Sequence, residues 1–163
     1  MKRKIVLNNS MPKTVRTNSS NKDFADLVHQ LNQYLAIKDG ELHSFYNQYN
    51  SIELLQHVIL IYEDNIPVGC GAIKPLTNDN TSMEIKRMFV LPEYRRLGNA
   101  GLILQELEDW TSDLGYQKCV LETGKNQTEA MALYHSKGYK IVQNYGPYIG
   151  VENSICFEKQ LTR

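Results

Sequence analysis

The residues with the strongest claim to chemistry run Tyr94-Arg95-Arg96-Leu97-Gly98-Asn99-Ala100-Gly101, between an apolar, strand-like stretch and a long amphipathic one. The small residues at 98, 100 and 101 fall where a helix would begin. A helix start presents unpaired backbone N–H groups and the positive end of the helix dipole, and together these attract anions. Gly98, Ala100 and Gly101 would keep side chains clear of phosphate oxygens approaching the backbone. The loop is not a nucleotide P-loop, which needs Gly-Lys followed by Ser or Thr. Nor is it the dinucleotide fingerprint, with its three glycines at fixed spacing. On spacing alone, an anion-binding turn and a plain strand-to-helix connection stay equally open.

The elements that must position this loop are visible in the periodicity. Residues 1–12 are polar and read as a flexible leader, and residues 13–163 as one domain whose first, edge strand covers Lys13–Thr17. From Asn21 the apolar residues Phe24, Leu27, Val28, Leu31 and Leu35 recur at helical spacing until Gly40. A second short helix is expected over residues 41–49. Residues 58–62 and 68–73 form a hairpin around a turn at 63–67, and a third strand spans 82–90. Alternation along that strand puts Glu84 on one face with Lys86 and Met88. Gly98 opens a helix with Ile103, Leu107, Trp110 and Leu114 on one face and Gly115 as its stop. A strand at 118–122 precedes a helix over 126–137, where Asn126 and Glu129 have capping-box spacing. Two last strands, near 139–142 and 154–158, bracket a loop rich in Gly and Tyr. The whole is a mixed α/β sheet.

The bulk numbers limit the function classes. At 163 residues, 42% hydrophobic and 22% charged, the chain is sized and composed for one globular domain. Basic and acidic residues balance at 18 each, so the basic excess of a nucleic-acid binder is missing. The three cysteines, Cys70, Cys119 and Cys156, sit in apolar runs without a Cys-x-x-Cys pair, which suggests reduced, buried thiols and no metal site. No apolar stretch is long enough for a signal peptide or a membrane span, so a cytoplasmic protein is expected.

The loop and its flanks resemble the GNAT superfamily of acetyltransferases. Arg95-x-x-Gly98-x-Ala100 is similar to that family's Arg/Gln-x-x-Gly-x-Gly/Ala pyrophosphate signature. Residues 84–95 resemble the strand that leads into it, and Asn126, Ala130, Leu133, Tyr134, Gly138 and Tyr139 resemble the second half of its cofactor site. The likeness runs from about Val58 onward. Arg96 replaces a common glycine, and Ala100 stands where glycine is more frequent. The resemblance implies a mostly antiparallel central sheet flanked by helices, with a splayed strand at the site of acetyl-CoA. It places the pyrophosphate on Arg95, Arg96, Leu97, Gly98, Asn99, Ala100 and Gly101, the pantetheine arm along Met88, Phe89 and Val90, and Asn126 beside that arm.

It also implies a reaction, the acetylation of a small-molecule amine in a ternary complex. The alternatives are a peptide or protein acceptor, or a non-catalytic acyl-CoA-binding module. An alkylammonium has a pKa near ~10, so a base must take its proton, and the departing thiolate benefits from a donor. Tyr134, at the family's spacing with seven residues between it and Asn126, is the donor candidate; Glu84, eleven residues before Arg95, is the base candidate. Phe45, Tyr46, Tyr145 and Tyr148 are the expected acceptor contacts. Homodimerisation is left open.

Overall fold

The computed structural model describes residues 11–40 and 55–162. The leader up to residue 10, the expected helix over 41–49, and Phe45 and Tyr46 all lie outside the described residues. Strand β1 (Lys13–Thr17) has the predicted bounds. Helix α1 (Lys22–Asp39) starts at Asn21, whose side chain accepts a hydrogen bond from the Asp23 amide at 2.9 Å, and stops at Gly40. Its Phe24, Leu27, Val28 and Leu31 are buried.

Strands β2 (His57–Glu63) and β3 (Ile66–Leu76) form the expected hairpin, but on a tighter turn. Asp64 and Asn65 alone turn the chain, at φ 48 and 64, a conformation that Asp and Asn adopt more readily than most residues. Pro67 therefore lies within β3, opposite Tyr62 at a register irregularity. Strand β4 (Asp79–Val90) begins earlier than predicted, and helix α2 (Asn99–Asp113) follows the loop. Leu114 falls past the end of α2 and is 40% exposed, so it leaves the apolar face on which periodicity put it. The chain then forms β5 (Lys118–Gly124), α3 (Thr128–Ser136), β6 (Lys140–Val142) and β7 (Ser154–Gln160). Helix α3 starts later than the capping-box spacing implied. Gln127 stands at its N-cap and no side chain caps it; the Gln127 amide bonds back to the Gly124 carbonyl at 3.0 Å in a preceding turn.

The seven strands lie in the order β1-β2-β3-β4-β5-β7-β6, antiparallel except for β4 and β5. Helix α1 covers one face, burying Phe24 and Leu27 against Val58, Leu60, Cys70 and Ala72. Helices α2 and α3 cover the other, where Ile103, Leu104, Leu107 and Tyr134 meet Ile59, Ile73, Met83 and Phe157. Cys70, Cys119 and Cys156 are free and buried. No helix among the described residues is long and apolar enough to cross a membrane.

Strands β3 and β4 each carry one local feature that sets the packing around them. Helix α2 lies directly on the β3 backbone: a Cβ added at Gly71 would sit 2.7 Å from Met88 Sδ and 2.8 Å from Leu107 Cδ1. In β4 the register slips between Lys86, opposite Ala72, and Phe89, opposite Cys70, with Arg87 at φ 60. This bulge inserts one residue and inverts the alternation beyond it. Glu84 and Lys86 share the α1 face, as expected, whereas Met88 packs on the α2 side, contrary to simple alternation.

The absent side chain at Gly71 sets the seating of α2. Gly71→Val should therefore destabilise the fold by about 1–3 kcal/mol through overpacking. Urea denaturation would show this as a lower midpoint with an unchanged slope; an unchanged midpoint would mean the helix sits more loosely than described.

Candidate functional site

Strands β4 and β5 pair over only three residues each, Ser82, Met83 and Glu84 with Lys118, Cys119 and Val120. Beyond that they diverge, and a cleft of about 800 Å³ opens from the gap to the start of α2. Tyr134, Asn126, Met88, Phe89, Val90 and the loop residues Arg95, Arg96, Gly98, Asn99, Ala100 and Gly101 all line it; Leu97, 49% exposed, does not.

The loop is braced from behind. Asn99 is buried and donates to Glu63 Oε1 at 3.1 Å and to the Tyr94 carbonyl at 3.0 Å, so only its main chain can serve the cleft. Arg95 Nε donates to the Val90 carbonyl at 2.8 Å, and its guanidinium stacks on Tyr34 and Phe89. Gly98 holds φ 86 at the N-cap of α2, and a Cβ there would meet nothing within 4 Å. Glycine suits 98 because of its left-handed backbone conformation, a reason that adds to the clearance for phosphate read in the sequence. At Gly101 an added Cβ would lie 3.0 Å from Lys137 Cε, so this glycine accommodates the stem of a lysine beside the first turn of α2. Arg96 reaches Glu129 Oε1 across the cleft at 3.5 Å, both side chains being exposed.

The Leu91 amide donates to the Val68 carbonyl at 2.8 Å, which fixes the phase of hydrogen bonding between β4 and β3. Alternation then turns the peptide groups of Val90 toward the gap and those of Phe89, opposite Cys70, toward β3. Of the three residues expected along the pantetheine arm, Val90 and Met88, and not Phe89, turn their peptide groups toward the gap. Phe89 contributes its ring, buried on the α1 face. The cleft thus offers a helix N-terminus at one end and a free strand edge along its floor. That pairing suits an extended ligand with an anionic end and an amide-bearing arm.

A smaller cavity of about 110 Å³ adjoins the cleft, and Leu31, Met88, Gln127, Ala130 and Tyr134 line both. Tyr134 is 6% exposed, its ring 5.8 Å from those of Tyr139 and Phe157. Burial, reinforced by the charge of Glu122, raises its pKa above that of a free phenol, so the hydroxyl keeps its proton throughout the physiological range. Glu84 lies in the smaller cavity, 6% exposed, and does not face solvent. Its Oε2 accepts from the Tyr145 hydroxyl at 2.7 Å, and its Oε1 lies 3.8 Å from Lys86 Nζ. Tyr148 lines the cavity, and Tyr145 stands behind Glu84 with its ring at 5.9 Å from that of Tyr148. Asn126 stays in the cleft but is not the helix cap that its spacing implied.

Sequence reasoning missed Tyr34, Lys38, Glu129 and Lys137 around the cleft, and Lys86, Arg87 and Glu122 in the smaller cavity. One signal was available. Lys86-Arg87 places two consecutive charges in an otherwise apolar strand, which no strictly alternating strand would bury.

The acetyltransferase (GNAT) family pattern matches residues 24–139. Over 94 residues the chain is 36% identical to the IAA acetyltransferase of Azospirillum brasilense, a match covering 58% of this chain and 61% of that protein. It spans about half the length of two other curated relatives, named as a probable N-acetyltransferase of Xenopus tropicalis and an uncharacterized N-acetyltransferase of Schizosaccharomyces pombe. The PaiA N-acetyltransferase of Thermoplasma acidophilum, solved in complex with coenzyme A, superposes at a TM-score of 0.68 and 16% identity over 93% of this chain and 100% of that one. A GNAT family acetyltransferase from Elizabethkingia anophelis with acetyl-CoA bound gives 0.67 at 19% identity, over 92% and 98%. At such identities the likeness is one of fold, and the family match rests on the sequence pattern. The chain belongs to the GNAT family of acetyltransferases.

Proposed function

We propose that the chain transfers an acetyl group from acetyl-CoA to the primary amine of a small molecule, by direct attack within a ternary complex. The observation that carries this reading is the meeting of two cavities at Tyr134. The larger has the features of a coenzyme A site, and the smaller holds a buried carboxylate. When bound, acetyl-CoA supplies an activated thioester.

The residues of the chain do the rest. Amides at the start of α2, beyond the left-handed Gly98, would receive the pyrophosphate, and the open edge at Met88 and Val90, where Arg95 already takes the Val90 carbonyl, would receive the pantetheine amides. Glu84 is oriented by the Tyr145 hydroxyl, and its other oxygen is directed at Lys86 and the cavity; it takes the proton from the incoming ammonium. Tyr134, held protonated, donates to the sulfur that leaves. The small volume of this cavity, about 110 Å³ with Leu31, Leu35 and Tyr148 in its lining, favours a small acceptor over a protein chain.

A screen of amino acids, polyamines and aminoglycosides with acetyl-CoA, following thiol release, tests the reading. Release stimulated by an amine supports it. Tight coenzyme A binding with no stimulation by any amine would make the protein a binding module. Tyr134→Phe should lower kcat on the order of a hundredfold with little change in KM for acetyl-CoA, as expected for loss of a general acid. A parental kcat would reduce Tyr134 to packing. Glu84→Gln keeps an acceptor for Tyr145 but removes the base. Its rate should fall at neutral pH and partly recover at high pH, where more of the amine is already neutral. A parental pH–rate profile would transfer the proton's path to water.

A further inference from the structure

The smaller cavity contains a cation that the proposed chemistry does not use. Arg87 lines it and is 8% exposed, placed there by the bulge. On an unbulged strand Arg87 would alternate with Lys86 onto the α2 face; with φ 60 it turns toward α1 instead, and its Nη1 donates to Asn32 Oδ1 at 2.8 Å. Its Nε is buried and has no hydrogen-bond partner among the described residues. Among those residues no carboxylate lies within ion-pair distance of it. Burial draws its pKa down to about 10, which leaves the group charged at neutral pH.

A guanidinium withdrawn from water without an anion is costly, and an unpaired Nε is half of the side-on fork by which arginine grips a carboxylate. The surrounding charges define the rest of the ligand. Glu84 and Glu122 line the same cavity as Lys86 and Arg87, two charges of each sign, which suits a zwitterion better than a simple amine or a doubly charged phosphate. We propose that the acceptor is an amine that also carries a carboxylate, an amino acid in the broad sense, with Arg87 binding the carboxylate through Nε and Nη2 while the amine faces Glu84. This rests on the reading of the smaller cavity as the acceptor site.

Two measurements on the full chain test it. In the first, each amino acid that stimulates thiol release is compared with its primary amide and its decarboxylated amine. The amino acid should be preferred, and Arg87→Lys, which keeps the charge but loses the fork, should reduce the preference on the order of a hundredfold. Equal use of all three, or an unchanged preference in the variant, overturns the proposal. In the second, the Arg87 Nε–H resonance, assigned by its loss in Arg87→Lys, is followed by two-dimensional nitrogen–proton NMR. The probes are N-acetyl derivatives of the common amino acids and the corresponding amides. A downfield shift with an acid but not with its amide supports the site; silence toward every acid overturns it, even if Arg87→Lys fails to fold and the assignment must come from another route. The two readings fail separately. A shift without any stimulated thiol release sinks the transferase and keeps the carboxylate site. Acetylation of simple amines with a silent Nε does the reverse.

Discussion

Strand β4 has to belong to two half-sheets while leaving a gap between them. Three residues of parallel pairing, ending at Glu84 and Val120, hold the halves together, and the bulge at Arg87 bends β4 away immediately afterwards. Backbone groups on the diverging edge lose their sheet partners, a condition the interior of a fold rarely tolerates. Here it is tolerated because the edge faces a cleft. One inserted residue thus separates the strands, turns Val90 toward the opening, sends Met88 to the α2 side and brings Arg87 to the α1 side.

The polar parts of the site are held rigidly before any ligand arrives. Arg95 ties the loop to the end of β4, Asn99 ties the helix start to β2 and to the loop carbonyl at Tyr94, and Tyr145 ties the loop before β7 to Glu84. Each contact joins separate elements of the fold, and each is part-buried, where a hydrogen bond is stronger than at the surface. By contrast, the Arg96–Glu129 contact at the mouth is exposed on both sides and contributes little to such rigidity. The interior is set and the rim is not.

The range of each interaction decided whether it was legible in the sequence. The edge strand, the start of α1 at Asn21 and the loop before α2 depend on neighbours a few residues away, and they could be read directly. The capping role of Asn126 was also a local inference, but the chain makes a turn from Gly124 to Gln127 and the helix starts one residue later than the cap spacing implied. The resemblance assigns only the main chain of Asn99 to the ligand, and nothing local shows that its side chain finds partners 36 and five residues away and turns inward. The bulge depended on pairing with β3, so the sequence showed the charges that betray it without showing which residue is extra. The bond from Tyr145 to Glu84 spans 61 residues and exists only once both half-sheets are in place.

Among the described residues the two large apolar clusters, one under α1 and one under α2 and α3, share no buried residue, and a small third one gathers around Tyr148 and Cys156. The α1 cluster carries a wall of the smaller cavity, and the other anchors the helix whose first turn faces the cleft. Substitutions in separate clusters tend to act additively on stability. A lineage could then alter the packing under α1 without reoptimising the packing behind the first turn of α2. The architecture makes diversification cheap in one half of the molecule and conservatism easy in the other.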